Sequence, residues 1–320
     1  MGALVTGTGG LGTYLARYFV EKGIPCSMYG TARQIDAMKQ ILDVSKVKIF
    51  KGDILDADAL SNAVKQSGAD RIIHTAGPRA TQTRKDPKYC VRVHVQGTLN
   101  VLEVARKTNL DRVIFSSTSS VYLATKKGQQ AKGPTIKEDD ALVPMDHEDV
   151  YASAKVSCEY LGFNYAKTYG FGFIPLRIAH VYGFWPGDMG RGVVVSDVAR
   201  ACVLGESLEV DEQIAEWTHY NDLAEEHYLA AYSQKVKLGA FNAASGKIFS
   251  LKDVIAVLKK HLRTVNIKVS EEAKTSRSTP SDMTKAKELL GFEPKYDLDR
   301  AVRELIEIWK QRLRKDYPIK

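Results

Sequence analysis

Tyr151 and Lys155 stand four residues apart in the run Tyr151-Ala152-Ser153-Ala154-Lys155. At roughly 3.6 residues per turn, positions i and i+4 share one helix face. A phenol and an ammonium spaced this way can form a single acid–base device. Free tyrosine titrates near about 10, too high for a base at neutrality. A neighbouring cation favours the phenolate and lowers that value. The same spacing also arises as a solvated helix edge, so the pair takes its meaning from what precedes it. A hydroxyl cluster, Ser116-Ser117-Thr118-Ser119-Ser120, closes the apolar run Arg112-Val113-Ile114-Phe115. A glycine-rich turn, Gly7-Thr8-Gly9-Gly10-Leu11-Gly12, lies near the N-terminus.

That turn matches GxGxxG, directly after an apolar run at Ala3–Val5 and before a helical pattern starting near Leu11. This strand–turn–helix context is the one the motif needs. Glycines let the backbone approach a pyrophosphate, and the helix N-terminus offers unpaired N–H groups. A carboxylate at the end of the second strand would bind the adenosine ribose of NAD. Gly30-Thr31-Ala32-Arg33 stands there instead. Without an acid to repel a 2′-phosphate, and with Arg33 able to pair with one, NADP is favoured and NAD remains an option. A solvent-facing Arg33 is the alternative. Asp53 follows the third strand and could meet the adenine edge, and Thr75-Ala76-Gly77 makes a small-residue turn after the fourth.

The elements that must position these groups alternate. Strand-like runs at Ala3–Val5, Pro25–Tyr29, Val47–Phe50, Arg71–His74 and Arg112–Phe115 are separated by helical patterns near 34–43, 56–67 and 88–108. This βαβα alternation predicts an α/β fold, a Rossmann-type, doubly wound parallel sheet covered on both faces. A long helix is predicted from Tyr151 to about Thr168, then a strand over Phe173–Ile178. Further helices are predicted near 193–204, 220–233, 250–262, 282–290 and 298–313. The domain reading is a dinucleotide-binding unit over 1–178 and a smaller, mainly substrate-binding C-terminal lobe over 179–320. Segments near 215–245 are expected to return to the first unit. The stretch 125–133, rich in Lys, Gln and Gly, reads as an exposed loop.

Composition narrows the class. A chain of 320 residues can bury a sizeable core. No apolar run is long enough to cross a bilayer. With the first strand expected almost at Met1, no signal peptide is expected. Cys26, Cys90, Cys158 and Cys202 are scattered without CxxC spacing, pointing to reduced thiols in a cytoplasmic protein and to no metal site. The net charge of +8 is spread among acids, with no nucleic-acid module. It suits an anionic cofactor or substrate.

Together these residues resemble the extended short-chain dehydrogenase/reductase family, the NAD(P)-dependent epimerase/dehydratase group. The resemblance runs through Thr6–Gly12, Gly52-Asp53-Ile54, Ile73–Ala76, Gly97–Glu103, Phe115–Tyr122, Tyr151-x-x-x-Lys155, Arg177–Gly183, Phe241-Asn242, Asp282–Ala286 and Leu290–Phe292. It implies that Tyr151 is the acid/base, that Lys155 holds the nicotinamide ribose and lowers the tyrosine pKa, and that Thr118 hydrogen-bonds the reacting oxygen. Cofactor contacts are implied at Gly7, Gly9, Gly10, Leu11, Gly12, Thr31, Arg33, Asp53, Ile54, Thr75, Ala76, Gly77 and Ser116, beside Tyr151 and Lys155. It further implies a homodimer formed by the helices near 88–108 and 151–168.

Departures from the family pattern bear on the substrate. The glycine turn is one residue shorter than the usual GxxGxxG. His94 and His180 replace common asparagines; each could touch substrate or be a satisfied buried histidine. Ser119-Ser120 after Thr118 replaces the Asp-Glu that marks 4,6-dehydratases. Ala215 stands where relatives that bind sugar nucleotides carry an arginine, leaving a diphosphate poorly neutralised. The reading is an oxidoreductase for a small carbonyl or secondary alcohol, with an epimerase of a sugar or sugar nucleotide as runner-up and a non-catalytic dinucleotide sensor third. Ser119, His180, Trp185, Arg191 and Trp217 are the candidate substrate residues. Thr118 and Tyr151 lie 33 positions apart, a long gap whose lysines could rim the pocket.

Overall fold

The structure, a computed structural model, describes residues 2–122, 133–144, 149–188, 194–270, 274–275 and 279–314. Arg191 and most of the 125–133 loop lie outside the described residues. Six strands run in chain order as β1 (Ala3–Thr6), β2 (Cys26–Gly30), β3 (Lys48–Lys51), β4 (Arg71–His74), β5 (Arg112–Thr118) and β6 (Gly172–Ile178). With Phe241–Ala243 they form a seven-stranded sheet in the order 241–243, β6, β5, β4, β1, β2, β3, parallel throughout. Strands β1, β4, β5 and β6 are buried along their whole length. That is why they read as continuous apolar runs with no alternation.

Two apolar layers sandwich the sheet. Helices Gly10–Glu21 and Tyr220–Tyr232 pack on one face, where Tyr14, Leu15, Phe19 and Leu223 meet Val5, Ile73 and Ile114. Helices Ala57–Ser67, Gly97–Lys107 and Val150–Tyr169 cover the other, against Leu4, Ile72, Val113 and Phe115. The chain winds from β1 outward to β3, then returns to place β4 on β1's other side. This reversal opens a crevice at the strands' carboxyl ends between β1 and β4, where α/β sheets of this type bind ligands.

Local chemistry sets the helix ends around that crevice. Asp149 caps the Val150–Tyr169 helix, accepting from the backbone N–H groups of Tyr151 (3.1 Å) and Ala152 (3.2 Å). This fixes Tyr151 in the first turn. Gly170, at φ 81°, ends the helix in the left-handed region that favours glycine. The single helix expected over 88–108 is instead Pro87–Val91, one π-turn at Arg92–Gln96, and Gly97–Lys107. The wider turn shifts the helical register and carries Val93 and His94 into the interior. The 34–43 helix is only Ile35–Met38, and the 282–290 helix is a π-turn at Ala286–Leu290.

After β6 a second apolar centre gathers Tyr182, Phe184, Val198, Trp217, Leu251, Leu258, Leu305 and Trp309. It joins helices Val194–Leu204, Leu251–His261 and Leu298–Arg314 to the strand Gln213–His219. The Phe241–Ala243 strand and the Tyr220–Tyr232 helix belong to the main sheet and its cover.

Candidate active site at the β1/β4 crevice

The glycine turn is built for close approach. Gly7 has φ +97°, and a Cβ there would lie 2.5 Å from Thr75 Oγ1. A Cβ on Gly12 would meet the Gly7 carbonyl oxygen at 2.0 Å, so strand and helix can touch only through glycine. A Cβ on Gly9 would meet nothing within 4 Å, leaving the approach to the helix end open. The Gly10–Glu21 helix has no side-chain cap and no acid in its first turn. Open backbone and a bare positive helix end fit a dinucleotide pyrophosphate.

Thr75 Oγ1 donates to the Thr6 carbonyl (2.7 Å), tying the β4 turn to the glycine turn. Thr8 Oγ1 accepts from Ala32 N–H (3.1 Å), and this holds Ala32 at φ 51°, a strained angle for a side-chain-bearing residue. Thr31 and Arg33 flank it, both exposed. Asp53 is exposed and accepts from Leu55 N–H, while Ile54 is buried against Gly97. Ala76 and Gly77 continue the turn, and a Cβ on Gly77 would strike the His94 ring.

The reactive pair lies across the crevice. Thr118 ends β5, and its hydroxyl caps the short turn Ser119–Val121 by accepting from Ser120 N–H. Burial pushes the Tyr151 phenol up to about 12; a hydrogen bond with Thr118 pulls it down, and the Asp149 and Cys158 groups push it up. Lys155 is buried, and desolvation lowers its ammonium to about 8, opposed by Cys158 and Glu159. Its Nζ donates to the Ser116 carbonyl (2.8 Å) and lies 5.8 Å from the Tyr151 ring centre. Desolvation therefore decides the tyrosine, against the lowering expected from the lysine, whose ammonium hydrogen-bonds the Ser116 carbonyl.

His94 packs its ring on Tyr151 at 5.4 Å between centres, and its Nε2 meets the Pro78 carbonyl at 2.9 Å. Burial, then the nearby Lys155, drive it down to about 2, so it is a neutral, satisfied wall of the site. Beneath lies a buried network. Ser117 Oγ donates to Glu159 (2.5 Å), and Arg177 clamps Glu159 through Nε and a second nitrogen at 2.8 Å. Arg177 also donates to the Glu138 carbonyl (2.8 Å) and lies over the Tyr122 ring. The sequence reading missed Glu159, Arg177 and His227. A signal existed for two of them: Glu159 continues the Tyr151/Lys155 series at i+8, and Arg177 interrupts an apolar strand.

The candidate substrate residues scatter. Ser119 is buried beside Thr118. Trp185 is buried near the helix end, 3.2 Å from where a Gly10 Cβ would sit. Gln34 Nε2 donates to the Gly187 carbonyl (2.7 Å), linking the Trp185 segment to the loop after β2. Trp217 packs with Tyr182 and Phe249 in the C-terminal core, and exposed His180 lies edge-on to it at 5.6 Å. Ala215 is buried in that same core.

Fold and crevice define a nicotinamide-dinucleotide enzyme. The model of the NAD dependent epimerase/dehydratase family matches residues 3–244. The UDP-glucose 4-epimerase of Halalkalibacterium halodurans is 26% identical, with 92% of this chain and 91% of that protein aligned. The decarboxylating sterol-4-alpha-carboxylate 3-dehydrogenase of Candida albicans is 27% identical over 71% of this chain and 63% of that one. Among solved structures, the UDP-glucose 4-epimerase of Thermus thermophilus in complex with NAD is similar at a TM-score of 0.81 and 20% identity, covering 97% of this chain and 99% of that one. The chain belongs to the NAD dependent epimerase/dehydratase family, and it is an oxidoreductase of the extended short-chain dehydrogenase type. Among the described residues no helix is long and apolar enough to cross a membrane.

Proposed function

We propose that this protein interconverts a carbonyl and a secondary alcohol on a small substrate, with Tyr151 as the proton carrier. The observation that carries this reading is the grouping of Tyr151, Thr118 and Lys155, with His94 linking Tyr151 to the turn after β4. A bound nicotinamide supplies or accepts the hydride. The chain's part is to hold the substrate oxygen between the Thr118 hydroxyl and the Tyr151 phenol. A phenol near 12 is protonated at neutral pH, so Tyr151 is poised to give its proton to the oxygen of a carbonyl that a bound nicotinamide would reduce. In the reverse direction the phenol must first lose its proton, and a Lys155 ammonium turned toward it would lower that cost. Tyr151→Phe should cut turnover by about 10²–10⁴-fold with cofactor affinity retained. Unchanged turnover sinks the assignment.

The names of the relatives favour a second reading, epimerisation of a sugar nucleotide. Net change in nicotinamide absorbance per product formed supports the first. Turnover with none supports the second. Substrate would enter from the lobe over 179–320, above a cofactor held by 1–178.

For the cofactor we favour NADP over NAD. Arg33 is exposed and makes no ion pair among the described residues, and no carboxylate occupies the end of β2. The NAD complex of the Thermus relative is the opposing precedent. Titration should show NADPH binding about tenfold or more tighter than NADH, with Arg33→Ala erasing the difference. Equal affinities in the unaltered protein refute the preference. A homodimer is supported by Tyr89, Val91, Val150 and Tyr160, large apolar side chains exposed on the two helical segments 87–107 and 150–169. Light scattering should give twice the chain mass, reduced by Tyr160→Glu; a monomeric parent would remove the claim.

A further inference from the structure

The position of Lys155 depends on a group from the opposite side of the sheet. Strand β4 ends at His74, paired with Phe115, so Ser116 has a strand neighbour only on β6, at Leu176. Its carbonyl is thereby left to accept the Lys155 ammonium at 2.8 Å. Among the described residues it is that ammonium's one hydrogen-bond acceptor. The Ser116 hydroxyl lies on the face covered by the Tyr220–Tyr232 helix and meets His227 Nε2 at 2.9 Å. His227 Nδ1 in turn lies 2.7 Å from the Leu223 carbonyl.

The Leu223 carbonyl sets the direction of the bonds to His227. A carbonyl can only accept, so His227 carries its proton on Nδ1 and offers Nε2 as an acceptor. The Ser116 hydroxyl must then donate to it. Burial pulls the imidazole down to about 4, so this tautomer persists through neutral pH. All three bonds are buried, where breaking one leaves the full desolvation cost.

We propose that His227 is a positioning residue for the hydride-transfer site, holding Ser116 by its hydroxyl so that the Ser116 carbonyl locates the Lys155 ammonium. The inference rests on Lys155 belonging to the reactive pair. The ammonium's other charged or titratable neighbours are Tyr151, Cys158 and Glu159 on its own helix, with His74 and His94 facing it from β4 and the π-turn. Both histidines are held neutral, at about 3 and about 2, so they neither repel nor anchor it at neutral pH.

The test is NADPH affinity against pH, read by protein fluorescence, with a thermal melt on each variant. The parent should show a limb near pH 8, where Lys155 loses its proton. His227→Leu removes the acceptor, and Ser116→Ala removes the donor. Each should weaken binding about tenfold and move the limb down by about one pH unit, because the charged lysine loses its support. The double variant should be no worse than either single one, since all break the same chain. His227→Gln, which keeps an acceptor at similar reach, should restore the limb. If His227→Leu fails to fold, Ser116→Ala carries the same comparison. A lowered melting point with an unmoved limb, or additive losses in the double variant, overturns the proposal. Tyr151→Phe run in parallel with undiminished turnover would strike the reactive-pair assignment instead, independently of the binding limb.

Discussion

The floor beneath Tyr151 and the region beyond Gly183 treat buried polar groups differently. In the floor, His74, Ser116, Ser117, Lys155, Glu159 and Arg177 all close on protein partners, and each has a bond that crosses from strand to helix. Beyond Gly183 some groups, such as His227, Glu216 and Asp222, are paired as well, but Trp185 Nε1, Trp217 Nε1, Thr218 Oγ1, both oxygens of Glu226 and Tyr232 Oη are buried with no hydrogen-bond partner among the described residues. Glu226 has no exposed surface, and burial pushes its carboxyl well above the ordinary range, helped by Glu138 and Asp222. Each unpaired buried group costs about 1–3 kcal/mol. The floor is thus a preorganised frame, fixed before any ligand arrives. The second region carries an energetic cost that the fold tolerates.

Breaking the frame should be expensive. Arg177→Met leaves Glu159 charged and buried, and should cost about 3–5 kcal/mol in urea unfolding. Arg177→Met combined with Glu159→Gln should recover a large part, because the uncompensated charge is gone. A loss below about 1 kcal/mol for the single change would mean the floor is no more cooperative than the other region.

Relieving the second region should help. Glu226→Leu is expected to raise stability by about 1–3 kcal/mol at pH 7. The sign follows from linkage. A carboxyl whose folded pKa is raised gives up stability as pH climbs above its ordinary 4.5, since the unfolded chain ionises freely and the folded one does not. The advantage of leucine should therefore grow from pH 5 to 8 in parallel melts. A destabilised leucine variant would show that Glu226 is satisfied in solution, and the contrast between the regions would fail.

The sequence was more legible in the floor than beyond it. Strands β1 to β6 each start within one residue of the predicted position, because a doubly covered sheet demands continuous apolar runs bounded by turns. The Val150–Tyr169 helix matches because Asp149 and Gly170 mark its ends. The π-turn at Arg92–Gln96 was hidden, since one extra residue per turn leaves no mark in an apolar pattern. Trp217 reads equally as pocket or core, and packing alone placed it in the core of the second lobe.

The sequence alone determined the parallel sheet, the glycine turn with its conformational demands, and the Tyr151/Lys155 face, because each depends on local period and backbone sterics. Tertiary structure decided where the lysine's proton points. Residues 116, 155 and 227 are far apart in the chain, and only the closing of two helices on opposite faces of β5 joins them. It also decided the resting state of the tyrosine. Spacing promised a lowered phenol, while burial in the assembled crevice raises it to about 12.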